Sequence, residues 1–307
     1  MKFLLIILTI INTGCVLANP SKVKFTIKAT DAETGLNITN GVCEHYFQES
    51  YDPWGGRPDK VTKVNVSLNS KGCAILEGRS IKNFGMGAVV IAKGYYTGHN
   101  GRKYDHLNVA LNRWEPWNPT ITVKLRPKKD PVPMVHKVLA LTAPVFNKPV
   151  GLDLEVGDWV APYGKGKIAD FVVMFNFLNP KEKGIHYSLT FSNPDDGIQE
   201  YEFPKNLDSS FKWLYLAPLS GYQSSLDKYS VLRFPIVKDA PKYNLKEKVN
   251  YIFRVRSRRN KKGEIISACY GKIRGEIKIS LSKKFRMGYW FNPNPKSRSL
   301  ESKNKPY

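Results

Sequence analysis

Residues 21–35 read SKVKFTIKATDAETG, and the alternation of apolar and polar side chains in this stretch decides the fold class. Successive side chains of a strand point to opposite faces, so Val23, Phe25, Ile27 and Ala29 share one face of a predicted strand. Lysines and a threonine occupy the other face, and the polar run DAETG ends the strand with a turn. The stretch therefore predicts a half-buried strand with one apolar face.

The same pattern recurs along the chain, and helical periodicity is nearly absent. The later strands predicted in the first half of the chain run through residues 64–68, 88–92 and 121–125. Short strands at a spacing of about ten residues, separated by Gly, Asn and Asp, are typical of β-sandwiches. The sequence therefore predicts an all-β protein.

Four runs in the first half carry a resemblance to a known family: VKFTIKATDAETGLNITNGVC, LNSKGCAILEG, VVIAKGYY and TITVKLRP. Together they resemble a carboxypeptidase regulatory-like domain of the transthyretin-like type, over residues 22–127. Asn69 stands where that family usually has Asp, and residues 48–60 and 96–118 are insertions. The resemblance implies a small Ig-like β-sandwich that acts as a structural or binding module and has no catalytic residues.

The chain divides into five predicted segments. These are a signal peptide at 1–18, the regulatory-like sandwich at 19–127, a Pro-rich linker at 128–134, a second β-rich, sandwich-like basic domain at 135–290, and a polar tail at 291–307. Alternate prolines stiffen the linker, and the tail's composition predicts disorder. This layout is similar to exported bacterial proteins that join a regulatory-like sandwich to a second β-domain.

The first residues predict export. Lys2 precedes the apolar run at 3–11, which is too short to span a bilayer, and cleavage after Ala18 would release a secreted, cell-surface or periplasmic protein. A second interpretation uses Cys15, preceded by Thr13 and Gly14, as the acylated cysteine of a lipoprotein. Both interpretations remain open. No later segment is apolar for long enough to cross a membrane.

Three cysteines follow the predicted signal peptide. In an oxidising compartment we expect a Cys43–Cys73 disulfide, because both residues fall in the N-terminal domain, with Cys269 as a buried free thiol. The alternative is that all three are buried thiols. The scattered histidines do not cluster with cysteines, so we expect no metal and no cofactor.

The charge is strongly positive, and it is concentrated near the C-terminus. Lys and Arg number 48 against 26 acidic residues, and residues 238–307 alone hold 20 basic and 5 acidic residues. Such an excess favours binding to an anionic polysaccharide or another polyanion. General solubility is the alternative explanation.

The best candidate site is a predicted basic hairpin. Period-two alternation places Arg254, Arg256 and Arg258 on one strand face. On the returning strand, Lys272, Arg274 and Lys278 also share a face. If the apolar faces pair, these six side chains form a basic plate suited to sulfate, carboxylate or phosphate groups. The alternative is a solvated face whose charges deter edge-to-edge pairing.

Acidic and aromatic residues offer two weaker candidate sites. Asp153, Glu155 and Asp158 could form an acid/base pair or a calcium site, or they could stabilise turns. Aromatic side chains crowd the predicted loops of the first domain and would either stack on sugars or pack on the sheet. These aromatic residues are Tyr46, Tyr51, Trp54, Tyr95, Tyr96, Tyr104, Trp114 and Trp117. No metalloprotease or serine-hydrolase motif is present.

The sequence therefore favours a non-enzymatic exported binding or envelope-associated protein that engages an anionic partner through its basic C-terminal domain. An exported carbohydrate-active hydrolase or its accessory subunit, with Asp153, Glu155 or Asp158 as the acids, is the second interpretation. A purely structural surface component is the third. No feature of the sequence indicates the oligomeric state.

Overall fold

The computed structural model describes residues 20–51, 58–81, 85–177, 184–231, 246, 248–280 and 282–304. The predicted signal peptide, with Cys15, lies outside the described residues. Within the described ranges every regular element is a strand, which confirms the all-β fold class. The chain divides into two compact units between Arg126 and Pro127.

The strands of unit 1 form two sheets. Their bounds are β1 (Ser21–Asp31), β2 (Gly41–Tyr51), β3 (Pro58–Ser67), β4 (Cys73–Ser80), β5 (Met86–Ala92), β6 (Gly98–Arg102), β7 (His106–Asn108), β8 (Arg113–Glu115) and β9 (Thr120–Leu125). In the first sheet β1 pairs antiparallel with β4 and parallel with β9 and β8, and β7 extends β8. The second sheet has the antiparallel order β3-β2-β5-β6.

The core of unit 1 follows from strand alternation. Val23, Phe25, Ile27 and Ala29 of β1 are all fully buried, as the opening stretch predicts. They pack in one cluster with inward residues of the second sheet, such as Phe47. A sandwich results because each sheet has one apolar face to remove from water, and each fully buried large apolar side chain contributes roughly 1.5–3 kcal/mol.

The strands of unit 2 also form two sheets. Their bounds are β10 (Val135–Thr142), β11 (Pro149–Asp153), β12 (Asp158–Trp159), β13 (Phe171–Phe177), β14 (Gly184–Thr190), β15 (Gly197–Tyr201), β16 (Ser225–Val231), β17 (Asn250–Arg259), β18 (Ile265–Ile279) and β19 (Lys284–Asn292). One sheet has the order β10-β19-β18-β17-β15 and the other β12-β11-β13-β14-β16. Their inward faces share one core, in which Phe171 and Phe253 make an edge-to-face contact with ring centroids 5.2 Å apart.

Two predictions about the segments that flank unit 2 are wrong. The predicted linker 128–134 is part of unit 2, because the backbone N–H groups of Lys129 and Asp130 donate to the Glu301 carboxylate (3.1 and 2.7 Å). Residues 291–304 of the predicted polar tail are ordered, and Leu300 and Glu301 are buried. Polar side chains hold the tail in place, since Ser299 donates its hydroxyl to the carbonyl of Asp130 (2.7 Å) and Asn292 donates to the carbonyls of Ser297 and Ser299 (both 3.2 Å). Composition alone cannot distinguish such a tail from a disordered one.

These two segments help to cover the outer face of the β10-β19-β18-β17-β15 sheet, together with residues 202–224. Leu300 donates its backbone N–H to the carbonyl of Tyr215 (2.9 Å), and Trp213 is 1% exposed. Ile252, Lys272 and Trp290 stand side by side on this outer face, and all three are buried. Part of the sheet is therefore covered on both faces.

Candidate functional site

The structure does not place the three arginines of β17 on one face. Val255 pairs with Cys269 and Arg258 with Ser267, so β17 advances three residues while β18 advances two. This β-bulge contains Arg256, whose φ is 57°. Because an extra residue reverses the alternation, Arg254 lies on the outer face and Arg258 on the opposite one. The prediction that the three arginines share one face is therefore wrong.

Arg256 links the two sheets of unit 2. Its Nε and Nη2 donate to the two carboxylate oxygens of Asp170 (2.8 and 3.0 Å), and its Nη1 donates to Glu155 (2.8 Å). Asp153 lies 3.7 Å from Nη2. Burial works against the charge, but the hydrogen bonds with Asp170 and Glu155 raise the pKa of Arg256. This guanidinium is engaged inside the protein and is not free for a ligand.

The predicted carboxylate cluster organises backbone turns. The two oxygens of Asp153 accept four backbone N–H groups, from Glu155, Val156, Lys167 and Ile168. Burial raises the pKa of Asp153, but these four hydrogen bonds outweigh burial and lower it. Asp158 accepts the N–H groups of Trp159 and Lys165 (2.8 and 2.9 Å).

Asp170 completes this cluster, and the sequence did not single it out as a ligand of Arg256. Its side chain is fully buried, and burial raises its pKa against the lowering effect of Arg256. Asp153 is bonded to backbone N–H groups and Glu155 is paired with Arg256, so both carboxylates have partners within the protein.

Arg254 is also occupied. Its Nε and Nη2 donate to the carbonyl of Asp195, its Nη1 donates to the carbonyl of Leu219 (3.0 Å), and its guanidinium lies 4.6 Å from the ring centre of Tyr222. The side chain therefore holds Asp195, Leu219 and Tyr222 against the sheet. A ligand anion would have to displace three hydrogen bonds to reach it.

Lys272 is buried in an aromatic cage. Its Nζ donates to the carbonyl of Leu300 (2.7 Å) and lies 5.1–5.4 Å from the ring centres of Phe211, Trp213 and Trp290. The residue is 0% exposed, and burial lowers its pKa to about 7. The prediction that Lys272 belongs to a solvent-facing plate is wrong, because residues 202–224 and 293–304 cover this part of the sheet.

The uncovered part of the same outer face carries a basic strip, which we define as Arg274, Lys278, Lys284 and Arg286. Lys278 stands directly opposite Arg286, and Arg274 stands opposite Gly288, two residues further along β19. Arg274, Lys278 and Arg286 are exposed. Their charged groups make no ion pair with any residue that the structure describes, and Lys284 donates to Thr142 Oγ1 (2.8 Å).

Lys284 and Arg286 were not predicted as site residues. The sequence does contain a pattern that indicates them, since residues 284–288 alternate between apolar and polar side chains and could form a third strand beside the predicted hairpin. A shallow cavity of about 310 Å³ adjoins the strip and is lined by Arg274, Lys212, Ser210, Phe203 and Trp213. It adds a further cation, Lys212, near one end of the strip.

The aromatic residues of unit 1 mostly pack. Tyr104 and Trp114 stack with ring centres 4.8 Å apart, and Trp114 donates its indole N–H to the carbonyl of Ser80 (2.7 Å). Tyr96 is buried, whereas Tyr46 is 45% exposed. Trp54 and the side chain of Tyr51 lie outside the described residues.

The three cysteines Cys43, Cys73 and Cys269 are free thiols in the structure, so the predicted Cys43–Cys73 disulfide is not formed. Cys43 points into the core of unit 1. Cys73 alternates with the buried Ala74 and shares the outward face of β4 with Ile75, which is 53% exposed. The two side chains therefore point in different directions from their sheets, which sequence separation does not reveal.

Among the described residues no group of three or more His, Cys, Asp or Glu side chains is placed to hold a metal ion. The same part of the chain contains no apolar helix of membrane-spanning length.

Two solved structures align with most of the chain. One is a "putative carbohydrate binding protein from Bacteroides uniformis ATCC 8492", with 11% identity over 87% of this chain and 95% of that chain and a TM-score of 0.20. The other is a "putative membrane-associated protein of unknown function from Bacteroides fragilis NCTC 9343", with 12% identity over 89% of this chain and 96% of that chain and a TM-score of 0.19. At such scores the likeness carries no argument about function.

No family model and no curated protein matches the chain. The resemblance of residues 22–127 to carboxypeptidase regulatory-like domains therefore stays a prediction. The structure shows an all-β, sandwich-like fold in both units.

Proposed function

We propose that this chain is an exported, non-enzymatic binding protein that engages an anionic polymer through the basic strip of unit 2. The observation that carries the proposal is the pair of like charges at Lys278 and Arg286. Residues directly opposite on neighbouring strands lie about 5 Å apart, and like charges there destabilise a sheet. A bound polyanion relieves this repulsion, and no carboxylate of the described residues does so.

The spacing of the strip suits a polymer better than a single small anion. Arg274 and Lys278 face positions two residues apart on β19, which is about 7 Å along a strand. The exposed side chain of Val138, 76% accessible, lies beside the strip opposite Gly288 and adds apolar contact area. The N–H groups of an arginine guanidinium can donate two parallel hydrogen bonds to the paired oxygens of a sulfate, carboxylate or phosphate group.

Export is part of the proposal and is supported by the apolar run at 3–11 with the small residues that precede Asn19. A non-enzymatic role is supported by the engagement of Asp153, Glu155 and Asp170 with Arg256 and with backbone N–H groups.

A retention experiment tests the proposal. The chain without residues 1–18 is passed over immobilised heparin, polygalacturonate, duplex DNA and neutral dextran at low and high salt. A strip variant (Arg274→Ser, Lys278→Ser, Arg286→Ser) is compared with a control variant (Lys165→Ser, Lys261→Ser, Lys262→Ser) that loses the same charge at exposed positions elsewhere in unit 2.

We expect salt-sensitive retention of the wild type and the control variant on at least one polyanion, and loss of retention by the strip variant. Equal retention of the two variants, or passage of the wild type through every polyanion column, would refute the proposal.

A further inference from the structure

The β3-β2-β5-β6 sheet of unit 1 opens between β2 and β5. These strands pair only from Gly41 opposite Ala92 to Glu44 opposite Val89. Beyond that point β2 continues with β3, and β5 continues with β6 as far as Met86 opposite Arg102. Two hairpins therefore separate within one sheet, and a gap lies between them.

His45 closes the inner side of this gap. Its ring lies 5.1 Å from the ring centre of Phe25 and 4.5 Å from that of Phe47, and it hydrogen-bonds to the backbone of Gly87. Burial lowers the pKa of His45 to about 4, so the imidazole is neutral near pH 7. The neutral ring seals the gap from the core.

The outer side of the gap is a trough of about 420 Å³. Gly85, Gly87 and Gly101 form its floor, and a Cβ at Gly87 would lie 2.7 Å from the carbonyl oxygen of Asn100. Because side chains cannot be accommodated there, the floor stays at the level of the backbone. The volume falls within the range of small-ligand sites.

The backbone of β2 also faces the gap. Ile81 donates its N–H to the carbonyl of Gln48 (2.9 Å), so the alternate residues Glu44, Tyr46 and Gln48 point their backbone groups toward β5. Tyr46 lies beyond the last β2–β5 pair and directs its N–H and C=O into the gap.

The walls combine an aromatic ring with fixed polar groups. The Tyr46 hydroxyl donates to Glu44 (2.8 Å), and Lys63 pairs with the same carboxylate (2.7 Å) while its Nζ lies 5.4 Å from the Tyr46 ring centre. The hydrogen bonds from Lys63 and Tyr46 lower the pKa of Glu44. His99 and Lys103 form the opposite wall.

We propose that this trough binds a neutral sugar ring of a glycan. A pyranose has an apolar C–H face, which fits the exposed ring of Tyr46, and a rim of hydroxyl groups. The Glu44 carboxylate accepts hydrogen bonds from hydroxyls, and His99 can donate or accept. Recognition in the trough depends on an aromatic ring and hydrogen-bonding groups, whereas the basic strip of unit 2 acts through cations without ion-pair partners among the described residues, so the two proposed sites differ in chemistry.

Isothermal titration with cellohexaose, xylohexaose, mannohexaose and chitohexaose tests the proposal on the chain without residues 1–18. Tyr46→Ala should weaken binding of the recognised oligosaccharide by about tenfold or more, and His99→Ala should weaken it measurably. The matched control is Tyr163→Ala, because Tyr163 is 43% exposed, close to the 45% of Tyr46, and lies in unit 2. Circular dichroism melting of each variant checks that it is folded.

Absence of binding by all four oligosaccharides would overturn the proposal. So would binding that survives both Tyr46→Ala and His99→Ala, or that Tyr163→Ala weakens to the same extent. The strip variant should bind the neutral oligosaccharide like the wild type, so a failure of the polyanion proposal and a failure of this one are distinguishable.

Discussion

Changing Asp170 to Asn removes one charge of the ion pair that joins the two sheets of unit 2. Asparagine has nearly the same size and keeps an oxygen that can accept the backbone N–H of Leu154, which Asp170 binds at 2.9 Å. The substitution therefore removes the charge and one of the two contacts with Arg256 while leaving the packing unchanged.

The size of the effect follows from the burial of the two partners. The Asp170 side chain is fully buried, and the Arg256 side chain is 21% exposed. Breaking a buried pair by removing one partner costs about 3–5 kcal/mol, because a charge is left without compensation. Arg256 keeps Glu155 and reaches some solvent, so we expect the lower end, about 3 kcal/mol in the free energy of unfolding.

Urea unfolding followed by tryptophan fluorescence measures this change, since three of the six tryptophans, Trp159, Trp213 and Trp290, lie in unit 2 and report its transition. Glu155→Gln is the matched control: it removes the other carboxylate that accepts a hydrogen bond from Arg256, and that side chain is 52% exposed. Exposed pairs contribute less than about 1 kcal/mol. A loss of unfolding free energy in Asp170→Asn no larger than that in Glu155→Gln would contradict this expectation.

Two further predictions concern buried titratable side chains. Burial holds the folded pKa of His45 at about 4 against an ordinary value of 6.5, so the unfolded chain takes up the proton first as the pH falls. The free energy of unfolding therefore keeps its full value above about pH 6.5 and is lower by about 3 kcal/mol at pH 4. Hydrogen exchange of peptides from β1 and β2 should show this loss of stability at low pH in the wild type but not in His45→Gln. Equal pH dependence of exchange in the two proteins would contradict the prediction. For the thiols, burial raises the pKa of Cys43 to about 12 and that of Cys269 to about 11. An alkylating reagent should therefore label Cys73 alone in the folded protein and all three cysteines after unfolding. If Cys43 and Cys73 stay unlabelled after unfolding without a reducing agent, the two residues form a disulfide instead.

Alternation predicted the strands well wherever a strand has one buried face and no bulge. β1 is the clearest case, because its register depends only on its own side chains. Alternation predicted the wrong faces for β17, because the bulge at Arg256 reverses them. Its positive φ occurs in an arginine, and no glycine in the sequence marks the position.

Lys272 shows a second limit. Alternation placed it on the same face as Arg274 and Lys278. Burial of that face depends on residues 202–224, which are distant in the sequence, and on residues 293–304, whose composition predicts disorder. The carboxylates show a third limit. Asp153 and Asp158 were recognised as turn residues or acids, and only the backbone geometry of the turns decides between these roles.

The gap between β2 and β5 could not be predicted from the sequence, because the loss of pairing depends on how two hairpins meet. His45 stands at an inward position of a regular strand, and its residue type alone does not indicate a gap. Tyr46 was included among the aromatic residues that could contact a sugar, and its exposure supports that choice over packing.

The salt dependence of heparin binding tests the central claim most directly. The affinity of the wild type, the strip variant and the control variant is measured from about 50 to 300 mM NaCl. On duplex DNA each neutralised phosphate contributes about 0.9 to the slope of log K against log salt, so the loss of three engaged cations should flatten the slope by about 2.7 if heparin releases counterions as duplex DNA does. A flatter slope for the strip variant alone is the predicted result. The same slope for all three proteins would show that the strip does not contact the polymer.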